Sequence, residues 1–201
     1  MASGNATDKQ TLRERLRARR DALPAAARAA WSEQMAAWAE AVLRGSTARA
    51  AGAEPLPLAA APIVGVYWPL RSEADPRPLA RACAWRGASL ALPVVVGPDL
   101  LFRAWSGHAE LEPAGFGALA PGPTAAAVQP DLVVVPLLGF DARGHRLGWG
   151  KGFYDRYLAA RGDAVRAVGL AFACQQVPKI PTEAHDRRLH GVLTERGWQP
   201  C

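Results

Sequence analysis

Residues 131–138 read DLVVVPLL, and every position after Asp131 is apolar. Successive side chains of a strand point to opposite faces of a sheet, so a strand apolar at odd and even positions alike has no wet face. This run is the most strongly marked buried strand of the chain. The same reading gives strands at 63–68 (IVGVYW), 89–95 (SLALPVV), 100–105 (LLFRAW) and 164–172 (AVRAVGLAF), with a short one at 192–194. Helices fall between them at 76–85 and 153–160. This alternation predicts an α/β fold: an open, largely parallel sheet covered by helices on both faces, Rossmann-like and three-layered, with a helical N-terminus.

The N-terminal part is helical by pattern. Thr7 and Gln10 are spaced as a capping box, Leu12 and Leu16 continue an apolar stripe, and Leu23-Pro24 ends the helix. Beside the stripe lie Lys9, Arg13, Arg17 and Arg20. Like charges at such spacing cost only a few tenths of a kcal/mol each, so a solvated basic face is the plain reading and a phosphate-facing edge the sharper one. A second helix is expected from Ala25 to Leu43, with Trp31, Met35, Trp38 and Val42 on one buried face. Residues 1–6 and the small, Pro-containing stretch from Gly45 to Pro62 are expected to be flexible. At 201 residues, with no internal repeat, the chain fits one domain.

Composition narrows the partners. No stretch reaches the roughly 18 to 20 apolar residues that span a bilayer, and the opening MASGNATDKQ lacks the apolar core of a secretory signal. A cytoplasmic location without membrane contact is expected. Cys83, Cys174 and Cys201 are odd in number and include no CxxC pair, so they read as reduced thiols, not as a disulfide framework or zinc site. The net charge of +6 favours anionic partners but does not choose among nucleotides, polyanionic metabolites and nucleic acid. No RNP-type aromatic motif, KH-type loop or zinc finger accompanies it.

The chemistry concentrates just after the buried run. GFDARGHRLGWGKGFYDRYL, residues 139–158, carries five glycines, one lysine and three arginines. It leaves the carboxyl end of a strand, where ligands collect in open α/β sheets, and it opens a helix. Glycines let backbone N–H groups approach an anion closely, and a helix N-terminus adds about half a positive charge. Two familiar phosphate motifs are absent. Gly148, Gly150 and Gly152 are spaced GxGxG rather than GxGxxG, and Gly152 follows Lys151 where a P-loop has Ser or Thr. Arg146, Lys151 and Asp155 nevertheless raise a phosphate site above a plain tight turn.

The whole 139–158 stretch resembles the signature of the 5-formyltetrahydrofolate cyclo-ligase family, also called 5,10-methenyltetrahydrofolate synthetases. KQTLRERLRARRDAL resembles the family's N-terminal Lys-x-x-Leu-Arg helix, VYWPLRSEAD its glutamate-bearing strand end, and GASLALPVV the strand that follows. FACQQVPKIPTEAHDRRLHGVLTERG resembles its C-terminal segment. The resemblance implies ATP- and Mg-dependent closure of 5-formyltetrahydrofolate to 5,10-methenyltetrahydrofolate, with release of ADP and phosphate. A formyl oxygen is a poor leaving group, so the γ-phosphoryl is placed on it to give an iminophosphate. N10 of the folate then attacks the activated carbon and phosphate departs. Such chemistry asks a protein mainly for alignment and charge neutralisation.

By resemblance, Lys9 and Arg13 reach the ATP phosphates, and Arg146, Leu147, Gly148, Trp149, Gly150, Lys151, Gly152, Phe153 and Tyr154 wrap the nucleotide. Lys151 is implied nearest the transferred phosphoryl, with Arg146 the second catalytic cation. Trp68 and Glu73 match folate-binding positions, joined by Trp149, Gly150, Lys151, Gly152 and Phe153. Asp155 and Asp186 match magnesium-associated acids, whose hard oxygens suit Mg²⁺. Each has a duller reading: Asp155 as a first-turn helix acid, Asp186 with His185 as a turn, Trp68 as core, Glu73 as a solvated strand-end acid. The implied partners are ATP and 5-formyltetrahydrofolate, with or without a polyglutamate tail, on a monomer or weak dimer that binds neither nucleic acid nor membrane. One departure stands out: where the family shows Gly-Ile-x-Glu-Pro, this chain has Gly117, Ala118, Ala120 and Pro121. Ala120 keeps open a non-catalytic or repurposed relative that binds folate or nucleotide. A nucleic-acid-binding protein rests only on the charge and the basic first helix.

Overall fold

The computed structural model describes residues 2–44 and 61–201. In chain order its helices are α1 (Ala2–Asp21), α2 (Ala25–Met35), α3 (Ala39–Arg44), α4 (Arg77–Ala84) and α5 (Phe153–Arg161). Its strands are β1 (Ile63–Gly65), β2 (Ser89–Val96), β3 (Asp99–Trp105), β4 (Glu112–Pro113), β5 (Leu119–Ala120) and β6 (Ala127–Val128), then β7 (Leu132–Pro136), β8 (Gly139–Phe140), β9 (Arg146–Leu147), β10 (Arg166–Leu170), β11 (Gly191–Thr194) and β12 (Gly197–Pro200). Eight strands form one sheet in the order β12-β11-β10-β7-β1-β2-β3-β6. The five strands from β11 to β2 are parallel, and antiparallel pairings appear only outside them. The pairs β4–β5 and β8–β9 are small separate hairpins.

The all-apolar run supplies β7, which lies between β10 and β1. Leu132 and Val134 face one side, together with Val64, Leu90, Val168 and Leu193, under Met35, Val42 and Leu79 of the helices α2, α3 and α4. Val133 and Val135 face the other, with Ala91, Phe102, Ala167 and Val192, under Leu158 of α5. The expected α/β sheet with helices on both faces is therefore the architecture formed. Each fully buried Val or Leu contributes roughly 1.5–3 kcal/mol, so the strand buried on both faces anchors the layers on either side of it.

Helix α1 lies on neither layer. Its Leu12 and Leu16 pack with Leu147, Val177 and Ile180, on segments that follow β7 and β10. Gly139 permits this approach, because a Cβ there would overlap Leu16 Cδ1. The helix begins at Ala2, ahead of the Thr7–Gln10 capping box, and the Gln10 side chain donates to Glu14 at 2.8 Å along the helix instead. Of the basic residues beside the stripe, Lys9 and Arg20 are buried and Arg17 is exposed, so the solvated-face reading holds for Arg17 and fails for the other two.

The helix expected over 25–43 is divided by a 3₁₀ turn at Ala36–Trp38. Its tighter winding leaves Met35, Ala39 and Val42 buried together, with Trp31 and Trp38 half-buried against the same core. The strand expected over 63–68 ends at Gly65. Beyond it the buried Tyr67 hydroxyl donates to Ala74 O at 2.6 Å and closes the chain into a loop. Of the connection expected from Gly45 to Pro62, residues 45–60 lie outside the described residues. The three cysteines are free, and no helix among the described residues is long and apolar enough to cross a membrane.

Candidate active site

The segments leaving the carboxyl ends of β1, β7 and β10 meet under α1. After β7 the chain makes the β8–β9 hairpin, whose turn is organised by Asp141. That carboxylate is fully buried and accepts hydrogen bonds from the backbone N–H of Arg143 at 2.9 Å, His145 at 3.2 Å and Ile180 at 3.0 Å. His145 Nδ1 and Arg143 Nη2 complete its shell, both at 3.1 Å. Burial alone would raise its pKa, but these donors outweigh burial and hold it down at about 2. Gly144 sits in this turn at φ +79°, and a Cβ there would meet Leu189 O at 2.6 Å. The hairpin thus fixes Arg146 and Leu147 at the start of the glycine-rich loop.

The loop delivers α5. Gly152 takes the N-cap position at φ +67°, Gly150 precedes it at φ +93°, and no side chain caps the helix. The first-turn N–H groups are left to whatever anion the loop admits. Lys151 is exposed beside them and forms no ion pair among the described residues; only its backbone oxygen is engaged, by Arg156 Nη1 at 3.0 Å. Arg13 reaches down from α1 and donates from Nε to Gly148 O at 3.0 Å, bracing the loop.

Glu73, in the loop after β1, is a buried acid and not the solvated strand-end residue of the plain reading. Its Oε2 accepts from Leu70 N at 2.9 Å, and its Oε1 accepts from the Trp149 indole Nε1 at 2.9 Å. Burial pushes its carboxyl above the usual glutamate range, with those two bonds and the Arg20 charge pulling the other way. Trp149 is partly exposed, and Phe153, four residues on, pairs with Phe116 at 6.3 Å between centroids.

Two ion-paired cations, Lys9 and Arg146, line the next part of the rim. Lys9 Nζ lies 2.9 Å from Asp186 Oδ2 and 3.0 Å from Glu183 Oε1. Burial pulls the Lys9 ammonium down, but both partners outweigh it and leave it raised; burial pushes the Asp186 carboxyl up, but Lys9 and the backbone N–H of Glu183 outweigh it and leave it lowered. Arg146 Nη2 donates to Asp155 Oδ1 at 2.7 Å, and its Nη1 donates to Arg187 O. Arg187 N donates back to Asp155 Oδ1 at 3.1 Å, so Asp155 and Asp186 are joined through adjacent residues. Burial lowers the Arg146 guanidinium from its ordinary value, with Asp155 opposing it. Burial raises the Tyr154 phenol nearby.

These contacts fall on one oxygen of each aspartate. Among the described residues no three His, Cys, Asp or Glu side chains form a metal cage. Two neighbouring carboxylates still fit Mg²⁺, which commonly takes one or two from the protein and completes its shell with phosphate oxygens and water.

The structure therefore pairs Lys9 with Asp186, Arg146 with Asp155 and Glu73 with Trp149, and sets Arg13 on Gly148 beside that tryptophan. Trp68 is half-buried against the core with Arg77 Cζ 4.9 Å above its ring, and no hydrogen bond or ring contact links it to Glu73 or Trp149 among the described residues. Ala120, where the family pattern carries Glu, is buried in β5 directly across from Glu112. Sequence reasoning missed Asp141 and Arg20. The first could be found from its place two residues before Arg143 in a Gly-containing turn; the burial of the second leaves no mark in the charge pattern.

The model of the 5-formyltetrahydrofolate cyclo-ligase family matches residues 5–195. The chain is 32% identical over 138 residues to a 5-formyltetrahydrofolate cyclo-ligase of Haemophilus influenzae, covering 65% of this chain and 74% of that protein. It is 34% identical over 146 residues to one of Escherichia coli K12, covering 69% and 80% respectively. Its fold matches the NMR structure of a 5,10-methenyltetrahydrofolate synthetase of Aquifex aeolicus with a TM-score of 0.77 and 26% identity, over 96% of this chain and 92% of that one.

Proposed function

Because the chain belongs to the 5-formyltetrahydrofolate cyclo-ligase family, we propose that it closes 5-formyltetrahydrofolate to 5,10-methenyltetrahydrofolate with ATP, through a phosphorylated formyl group, releasing ADP and phosphate. The observation that carries this is the single rim that joins an acid under an indole, an uncapped helix N-terminus with a free lysine, and a pair of cation-linked aspartates.

Each part has a task in that reaction. The first-turn N–H groups of α5 and the unpaired Lys151 neutralise charge on the phosphoryl in transit. Lys151 is free to follow that group, whereas Arg146, with both Nη atoms donated inside the protein, keeps Asp155 and the 186–187 segment in place. Glu73 accepts an N–H from the folate ring and so aims N5 and N10 at the phosphate site. Lys9 and Arg13 hold the 183–186 segment and the glycine loop against the nucleotide. Asp155 and Asp186 would hold Mg²⁺, which supplies neutralisation of phosphate charge when bound. The chemistry needs the formyl oxygen in line with the γ-phosphoryl and N10 near the formyl carbon, and alignment of this kind is the larger part of catalysis in phosphoryl transfer.

The test is absorbance of the methenyl product after the protein is mixed with 5-formyltetrahydrofolate, magnesium and ATP, with ATP omitted as control. An ATP-dependent rise is expected. No rise from folded protein that still binds ATP by titration calorimetry would replace this reading with that of a folate- or nucleotide-binding relative.

A further inference from the structure

Arg20, near the carboxyl end of α1, is the largest fully buried side chain among the described residues. Its Nε donates to Ser72 Oγ at 3.0 Å, but Nη1 and Nη2 are buried without a hydrogen-bond partner. A buried cation with idle donors is costly, and burial lowers its pKa against the nearby charges of Glu73 and Asp21. The position of those donors is informative. Nη1 lies 4.0 Å from Glu73 Oε1, too far for a hydrogen bond, and the guanidinium carbon is 5.5 Å from the Trp149 ring centroid. The oxygen that Nη1 faces is the one the Trp149 indole N–H occupies.

An acceptor and a donor set side by side at this spacing complement a planar ring edge that carries an N–H next to a carbonyl. We propose that Arg20 is a substrate-positioning residue that donates from Nη to the ring carbonyl of the folate, beside the ring N–H that Glu73 accepts. This rests on the folate reading of the site. Trp149 stands in for the ring N–H until the substrate enters; the indole then leaves Oε1, and the idle guanidinium donors gain their acceptor. The indole, not the loop, makes this movement: Trp149 is partly exposed, so its side chain has room to turn toward solvent.

The test is calorimetric binding, without ATP, of 5-formyltetrahydrofolate and of the same molecule with its ring carbonyl oxygen replaced by sulfur, which keeps the neighbouring ring N–H for Glu73 but is a weak acceptor, to the wild type, Arg20→Met and Arg20→Lys. The wild type should prefer the carbonyl ligand by about tenfold, most of the worth of a hydrogen bond from a charged donor. Arg20→Met should bind both ligands within about twofold of each other, and Arg20→Lys, which keeps a cation, should retain part of the preference. A wild type that binds both ligands equally would overturn the proposal, and so would a preference that survives in Arg20→Met. Equal weakening of both ligands in the folded variants would assign Arg20 a structural role only. If Arg20→Met does not fold, the wild-type comparison and Arg20→Lys decide. A wild type that binds neither ligand would instead remove the folate reading itself.

Discussion

Asp141→Asn removes the charge at the centre of the β8–β9 turn while keeping the side chain's shape. The carboxylate takes five hydrogen bonds and is fully buried. Its drop from an ordinary 3.8 to about 2 is worth roughly 2.5 kcal/mol of folded-state preference for the charged form. Asparagine offers one acceptor oxygen and turns an NH₂ toward groups that are themselves donors, so a loss of about 2–4 kcal/mol at neutral pH is expected. The folded pKa lies below the unfolded one, so the stabilisation is complete above about pH 4 and is lost as pH falls through about 2. Urea denaturation of the two proteins from about pH 7 down to about pH 3 should therefore show a gap that narrows with acidity. Because the turn fixes Arg146 and the glycine loop, turnover should fall with stability. A gap below about 0.5 kcal/mol, or one independent of pH, would refute the assignment of Asp141 as the charged centre of this turn.

Lys151→Ala should lower turnover by roughly 10²- to 10³-fold with an unchanged melting temperature, since the side chain is exposed and unpaired; unchanged turnover would remove Lys151 from the reaction. Glu73→Gln should weaken folate binding about tenfold and leave ATP binding intact. As burial raises the Glu73 pKa, wild-type folate affinity should begin to fall, on acidification, at a pH above that of an ordinary glutamate, and the Gln variant should lack that step; a variant that keeps it would place the titrating group elsewhere. Gly139→Ala brings a Cβ onto Leu16 and within 3.3 Å of Gln175 O, which should cost about 1–3 kcal/mol in chemical denaturation; an unchanged midpoint would mean that α1 is not seated on the hairpin.

The sheet was legible because its strands carry their burial in their composition. In β7 the apolar side chains alternate between two cores, and the run's shortness and its three consecutive valines favour a strand over a buried helix. The two-residue strands at 112–113, 119–120, 127–128, 139–140 and 146–147 were not legible, since two residues hold no period. Most of the site was carried by the 139–158 stretch, where glycine, lysine and aspartate positions are fixed by backbone geometry and helix start. What the chain order hid was pairing: Lys9 with Asp186, Glu73 with Trp149, Arg20 with Ser72. Charge spacing along α1 suggested a wet face, whereas tertiary contacts turn Lys9 and Arg20 inward, a result that depends on segments more than 50 residues away.

Helix α1 is made long before most of the segments it rests on. Its hydrogen bonds to the rim join Arg13 to a residue 135 positions later, Arg19 to one 155 later and Lys9 to one 177 later. At a synthesis rate of roughly 5–20 residues per second, α1 waits on the order of 10 to 35 s before the partner of Lys9 has even been made. A nascent chain can build its central strands early, but α1 is seated only once residue 186 has been made, so chains that stop short of it lack the ion pair that ties the helix down.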